Sequence, residues 1–169
     1  MPAPVDLAGL YDAHAPALFA FLLNLTRNED DTRDLLQDLF VKLARQPGRL
    51  DGVREERAFL LQMARHAAVD LARRRQTRLH TREQLAEAVP LFAPSADPDE
   101  QTFRDALSVA LGELPPEQRE VLHLKLWEGH TFDQIARLLD IPLNTAASRY
   151  RYGLDKLRER LRLLHDEIK

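Results

Sequence analysis

The sequence predicts an all-α protein, two small helical domains joined by a flexible linker. Leu and Ala dominate the composition and runs of Val, Ile and Thr are missing, which favours helix over strand. Apolar residues in both halves recur at helical spacing. Between the halves, "VPLFAPSADPDE" carries three prolines and acids with no helical period. Proline removes a donor and forces extended backbone before it, so this stretch reads as linker. The 169 residues suit one ordinary domain or two small ones, and 44% hydrophobic content supports a core. The helical blocks run from about Leu7 to Arg78 and from about Thr102 to Ile168. The expected organisation is therefore 1–78, linker 79–101, and 102–169.

In the first block, Leu18, Phe21, Leu22 and Leu25 mark one amphipathic helix. A second follows "RNEDD", with Leu35, Leu36, Leu39, Phe40 and Leu43 on its apolar side. Its opposite face carries Asp34, Gln37, Asp38, Val41, Lys42 and Arg45. "QPGRLDG" ends that helix. The third helix, roughly Glu55–Arg78, places Leu60, Met63, Ala64, Ala67 and Leu71 on one arc, expected to face the core. Gln62, Arg65, His66, Val69 and Arg73 fall on the opposite arc, and the helix runs out into "RRRQTR". This is a basic, hydrogen-bonding ridge with a concentrated positive end; a solvated face is the alternative reading.

In the second block, "ELPPEQREVLHLKLWEG" opens on Pro115–Pro116 and closes near Gly129, the punctuation of a helix. "TFDQ" places Thr131 as N-cap and Gln134 three residues on, a capping box. Ile135, Ala136, Leu138 and Leu139 form the apolar side of this short helix. Asp140 takes the turn, since aspartate tolerates left-handed backbone better than most residues. Ile141 points to the core, and Asn144 or Thr145 is expected to cap the last helix.

That order, helix, tight turn, helix, is how many proteins deliver a helix to the DNA major groove. Close approach needs small or polar residues at the start, and Asn144, Thr145, Ala147 and Ser148 supply them. Arg149, Arg151, Lys156, Arg158 and Arg160 add positive charge further along. Tyr150 shares a stripe with Leu154, Leu157 and Leu161 and belongs to the core, leaving Tyr152 for DNA or phosphate. The net charge of −3 does not oppose this, because the charges are segregated. Residues 58–80 hold five arginines against one acid, whereas 81–120 hold three arginines against nine acids.

Several functions find no support in the sequence. With no cysteine there is no disulfide, thiolate site or cysteine nucleophile. The six histidines (His14, His66, His80, His123, His130, His165) lack metal-ligand spacing, and no phosphate loop or nucleophile–base pair appears. No cofactor, metal or enzymatic activity is expected. The N-terminus lacks the basic start and apolar block of a signal peptide, and no apolar run reaches bilayer length, so a cytoplasmic protein without membrane insertion is expected.

Three segments in register resemble bacterial RNA polymerase sigma factors of the extracytoplasmic-function group, a sigma-70-like family. They are "DTRDLLQDLFVKL", "ERAFLLQMARHAAVDLARRR" and "LGELPPEQREVLHLKLWEGHTFDQIARLLDIPLNTAASRYRYGLDKLRE". The resemblance covers nearly the whole chain. It implies a region 2-like bundle over 1–78 and a region 4-like helix–turn–helix over 102–169. It further implies docking on the polymerase core at its clamp and flap, promoter recognition, and an anti-sigma partner. Asp34, Gln37, Asp38, Val41 and Lys42 would meet the clamp. Gln62, Arg65, His66, Arg73, Arg74 and Arg75 would engage the −10 element and its unpaired bases. Asn144, Thr145, Ser148, Arg149, Arg151, Tyr152 and Lys156 would read the −35 element. The linker would thread polymerase channels. Arg33, Phe59, His66, Ala146 and Ala147 depart from the common family residues, and the loss of a basic residue at Ala147 implies a weaker −35 grip. The alternatives are a sigma-like mimic that sequesters an anti-sigma factor, an ordinary helix–turn–helix regulator, and a nucleic-acid enzyme, for which no catalytic constellation is present.

Overall fold

A computed structural model describes residues 4–78 and 90–168, with the side chains of 77, 78, 167 and 168 left aside. Residues 79–89, which include His80 and the first part of the expected linker, lie outside the described residues. The chain divides into two compact units, Met1–Gln84 and Leu85–Lys169. Every regular element among the described residues is helical.

The first unit contains α1 (Leu7–Thr26), α2 (Glu29–Arg45), a 3-10 turn (Pro47–Leu50) and α3 (Glu56–Arg78). The α1 helix starts where Asp6 accepts a hydrogen bond from the Gly9 amide. Asn28 caps α2 through the Asp31 amide at 2.9 Å. The first turn of α2 holds Glu29, Asp30 and Asp31 and its last turn Lys42 and Arg45, which suits the helix dipole at both ends. Leu18, Phe21 and Leu22 of α1 and Leu35, Leu36, Leu39 and Leu43 of α2 are buried, as their spacing predicts.

The inward arc of α3 differs from the expected one. Leu60, Leu61, Ala64 and Ala68 are buried, while Met63, Ala67 and Leu71 are only half-buried. Both α1 and α2 pack on α3. Packing between two neighbours turns Leu61 and Ala68 inward and leaves Met63 and Ala67 at the margin of the α2–α3 groove. Periodicity locates an apolar sector but not the direction from which the neighbours press.

The second unit contains α4 (Pro98–Gly112), α5 (Pro116–Leu126), α6 (Phe132–Leu139) and α7 (Leu143–Ile168). The α4 helix begins before the expected end of the linker. Asp97 caps it through the amides of Asp99 and Glu100, with Pro98 at the first helical position. A proline read as a breaker is here a starter, because its missing N–H would go unpaired in a first turn anyway. Ahead of the cap, Leu91 and Phe92 pack against the core cluster of Ala110, Leu111, Leu114, Leu122 and Leu157.

The capping box of α6 forms as expected, with Gln134 N donating to Thr131 Oγ1 at 3.1 Å and Thr131 N to Gln134 Oε1 at 2.9 Å. Asp140 adopts left-handed backbone with φ 53°. Neither Asn144 nor Thr145 caps α7. The Pro142 carbonyl accepts from the amides of Thr145 and Ala146, so those candidates lie inside the first turn. Proline closes the turn with its fixed φ and hands the helix its first acceptor. Gly153 sits where α7 crosses α5. A Cβ there would meet Gln118 Cβ and Leu122 Cδ1, each at 3.2 Å.

Candidate nucleic-acid interface

In the second unit, α6 and α7 form the corner and α5 buttresses α7. Ala146, Gly153 and Leu157 are buried, so they define the inner side of α7. Successive residues turn by about 100°, which puts Asn144, Ser148 and Tyr152 on the opposite side, one above the next. Asn144 is exposed, Ser148 half-buried, and Tyr152 56% exposed. Arg151 flanks this ridge with its guanidinium 5.2 Å from the Tyr152 ring centre. Thr145 and Arg149 are half-buried and Lys156 exposed along one flank. Tyr150 belongs to the core, edge-on to Phe132 at 5.4 Å. The small tip can approach base edges, and the cationic flank can hold phosphates. Asp155 is exposed on the same side, an acid that the sequence reading passed over.

The ridge of the first unit is less uniform. His66, Arg73 and Arg74 are exposed, and Gln62 and Arg65 are half-buried. Arg75 points elsewhere. Its Nη2 donates to Asp31 Oδ1 at 2.7 Å and its Nη1 donates to Asp31 Oδ2. That hydrogen bond raises the Arg75 pKa, holding the guanidinium more firmly charged. Three successive arginines span about 200° of a helix, so they cannot share one face. The structure therefore pairs Arg75 with Asp31 in the first turn of α2, apart from the exposed Arg73 and Arg74.

A groove of about 230 Å³ between α2, the 3-10 turn and α3 brings further residues together. Asp38, Lys42, Arg49, His66, Asp70 and Arg74 line it, above Leu35, Leu39, Met63 and Ala67. It holds two carboxylates beside cationic groups and an imidazole, which can donate to and accept from a base edge. Sequence reasoning missed Arg49, because "QPGRLDG" registers only as a breaker. Pro-Gly sets the turn that carries it, and Arg49 Nε donates to Gln46 Oε1 at 2.5 Å.

The five residues expected to face polymerase are all exposed, Val41 by 40%. Four of them divide between two flanks of α2. Asp38 and Lys42 line the groove just described. Gln37 and Val41 border another hollow, about 660 Å³, with Tyr11, Phe19, Leu36 and Phe40. Tyr11 and Phe40 meet edge-on there at 5.0 Å. The α2 helix thus carries a polar flank and an aromatic one.

Among the described residues, no cluster of His, Asp and Glu is arranged to hold a metal ion. No helix among them is long and apolar enough to cross a membrane.

A basic helix beside a groove in one unit and a helix–turn–helix in the other are features of a two-unit DNA-recognition protein. Residues 10–78 match the family described as sigma-70 region 2, and residues 110–159 match sigma-70 region 4. The chain belongs to the extracytoplasmic-function group of sigma-70-type RNA polymerase sigma factors. It is 33% identical to the RNA polymerase sigma factor CarQ of Myxococcus xanthus, over 94% of this chain and 91% of that one. It is 27% identical to the ECF RNA polymerase sigma factor SigX of Bacillus subtilis, over 94% and 85%. The fold is similar to that of the sigma factor RpoE of Bartonella quintana, solved with the anti-sigma factor NepR. The TM-score is 0.75 at 23% identity, covering 93% of this chain and 97% of that one.

Proposed function

We propose a division of labour between the units: the first holds polymerase and opens the −10 element, and the second reads the −35 element as duplex. As the specificity subunit of a polymerase, the chain catalyses nothing itself. The observation that carries this reading is the contrast in exposed residues between α3 and α7. On α3, Arg74 borders a polar groove with His66, Arg49, Asp38 and Asp70, and Arg73 is exposed beside it in the chain. Such a groove suits an unpaired base, whose hydrogen-bonding edge is bare and whose extrusion costs a few kcal/mol. On α7 the Asn144–Ser148–Tyr152 ridge is slim enough to enter a major groove, with Arg151, Arg149 and Lys156 set for phosphates.

The aromatic flank of α2, through Gln37 and Val41, is the surface for the polymerase clamp, and Asp34 extends it. An anti-sigma factor, of the kind that RpoE binds, would compete for the same apolar surface. Asp38 and Lys42 belong to both readings, since they border the groove.

The test is transcription with sigma-free polymerase core and a genomic promoter library, followed by sequencing of the transcripts. The expected result is initiation at promoters that share two short elements. Core binding without initiation would favour a mimic, and neither would end the sigma reading. Arg74→Ala is expected to impair strand opening, measured by permanganate reactivity, while leaving duplex binding by the second unit unchanged.

A further inference from the structure

Residues 91–96 sit inside the expected linker yet are folded onto the second unit. The Leu91 amide donates to Ser108 Oγ at 3.2 Å, and Arg104 Nη1 donates to the Ala93 carbonyl at 2.5 Å. Leu91 and Phe92 pack half-buried on the core cluster, with the Phe92 ring 5.8 Å from Trp127. No helix or strand ladder holds this segment. Pro90, Pro94 and Pro98 punctuate it, so once released it stays extended rather than joining a helix.

The segment controls how far apart the two units can reach. From Arg78, the end of α3, to Leu91 is about 13 residues, which extend to about 45 Å at most. With residues 91–96 undocked, about 19 residues separate Arg78 from Asp97, a span of about 65 Å at full extension. Elements centred at −10 and −35 are about 25 base pairs apart, or about 85 Å along a straight duplex. Each unit, by its size, covers about 15 Å from its own centre, so the gap to span is about 55 Å. The docked tether falls short and the released one reaches.

We propose that residues 91–96 form a releasable strap, docked on the second unit in the free protein and let go when one chain holds both promoter elements. This rests on the two-element reading above. Docking keeps the tether short in the free chain, and release lets the second module bind alongside the first. Linked modules gain affinity only when the linker spans both sites, so the strap gates that gain.

The chain has no cysteine and one tryptophan, which makes the test clean. The double variant Leu91→Cys/Ser108→Cys locks the strap when oxidised and frees it when reduced. With core polymerase, the oxidised form is expected to bind a two-element promoter fragment roughly a hundredfold more weakly than the reduced form. Fluorotryptophan at position 127 is expected to shift its 19F signal when the wild-type complex forms on that fragment, but not on a −35 fragment. Equal binding by the two redox forms, an unmoved Trp127 signal, or a disulfide that does not close each overturns the strap. The double variant Leu91→Ser/Phe92→Ser, unlatched instead, is expected to keep two-element binding; its loss would make the segment a structural support and end the proposal. If the wild-type chain gives no promoter-specific initiation at all, the two-element reading itself has failed. Normal initiation by the oxidised form removes the strap alone.

Discussion

The α3 and α7 helices both present polar ridges, yet the two are built on opposite principles. On α3 the outward side is cationic and borders a groove, and one of its arginines is diverted into an ion pair with Asp31. On α7 the tip is small and uncharged, and the cations stand on the flank. A ridge of arginines draws affinity from phosphates and is strongly salt-dependent, whereas a slim polar tip draws discrimination from base edges. The contrast fits the two tasks proposed above, holding a strand whose bases come out and reading one whose bases stay stacked.

The largest expected effect separates the units by stability. His123 is buried in α5 beside Trp127, ring centres 5.5 Å apart, and burial lowers its pKa from 6.5 to about 4. The folded state therefore keeps a neutral imidazole where the unfolded chain takes up a proton. Stability is full above about pH 6.5, falls as pH drops from there toward 4, and levels off once both states are protonated. At about 1.4 kcal/mol per pH unit, the loss approaches roughly 3 kcal/mol. Hydrogen exchange between pH 7 and 4.5 is expected to show α5 opening more readily, and His123→Phe should flatten that dependence. An unchanged slope in the variant would place the acid sensitivity elsewhere.

A smaller effect sharpens the distinction among neighbouring arginines. Removing Arg73 and Arg74 together is expected to lower the salt slope of −10 binding by about two units, with little loss of stability. Arg75→Ala is expected to do the reverse. It leaves the salt slope alone and costs about 1 kcal/mol, since the pair with Asp31 is bidentate but Arg75 remains partly exposed. Titrations at several salt concentrations and urea unfolding separate these outcomes. Equal salt slopes for Arg74→Ala and Arg75→Ala would dissolve the assignment.

The smallest effect probes α7. Arg151→Ala is expected to weaken −35 duplex binding a few-fold, by about one unit of salt slope, uniformly across sequences. Tyr152→Ala should instead change which sequences are preferred. If both variants act only through salt dependence, the tip of α7 does not read bases.

Much of this was legible in the sequence because its signals are local. The capping box needs Thr131 and Gln134, three positions apart, and the Asp140 turn needs one tolerant residue. Tyr150 went to the core on spacing with Leu154 and Leu157, and it is there. Pro98 misled because proline both ends and begins helices, and only the partners of the neighbouring amides tell which. Arg49 was invisible since nothing beside it in the chain marks a groove.

By itself the sequence determined an all-α chain, the order of its helices, and a helix–turn–helix with the capping box of its first helix, since these depend on residues within a turn or two of one another. Tertiary structure decided which side of α3 faces inward, which arginine pairs with Asp31, and which residues assemble the groove. It also decided that residues 91–96 dock on the second unit. Those outcomes join groups far apart in the chain, such as Arg75 and Asp31, 44 positions away. A sector of apolar residues says that a helix must be covered, and the neighbour that covers it is chosen by the fold.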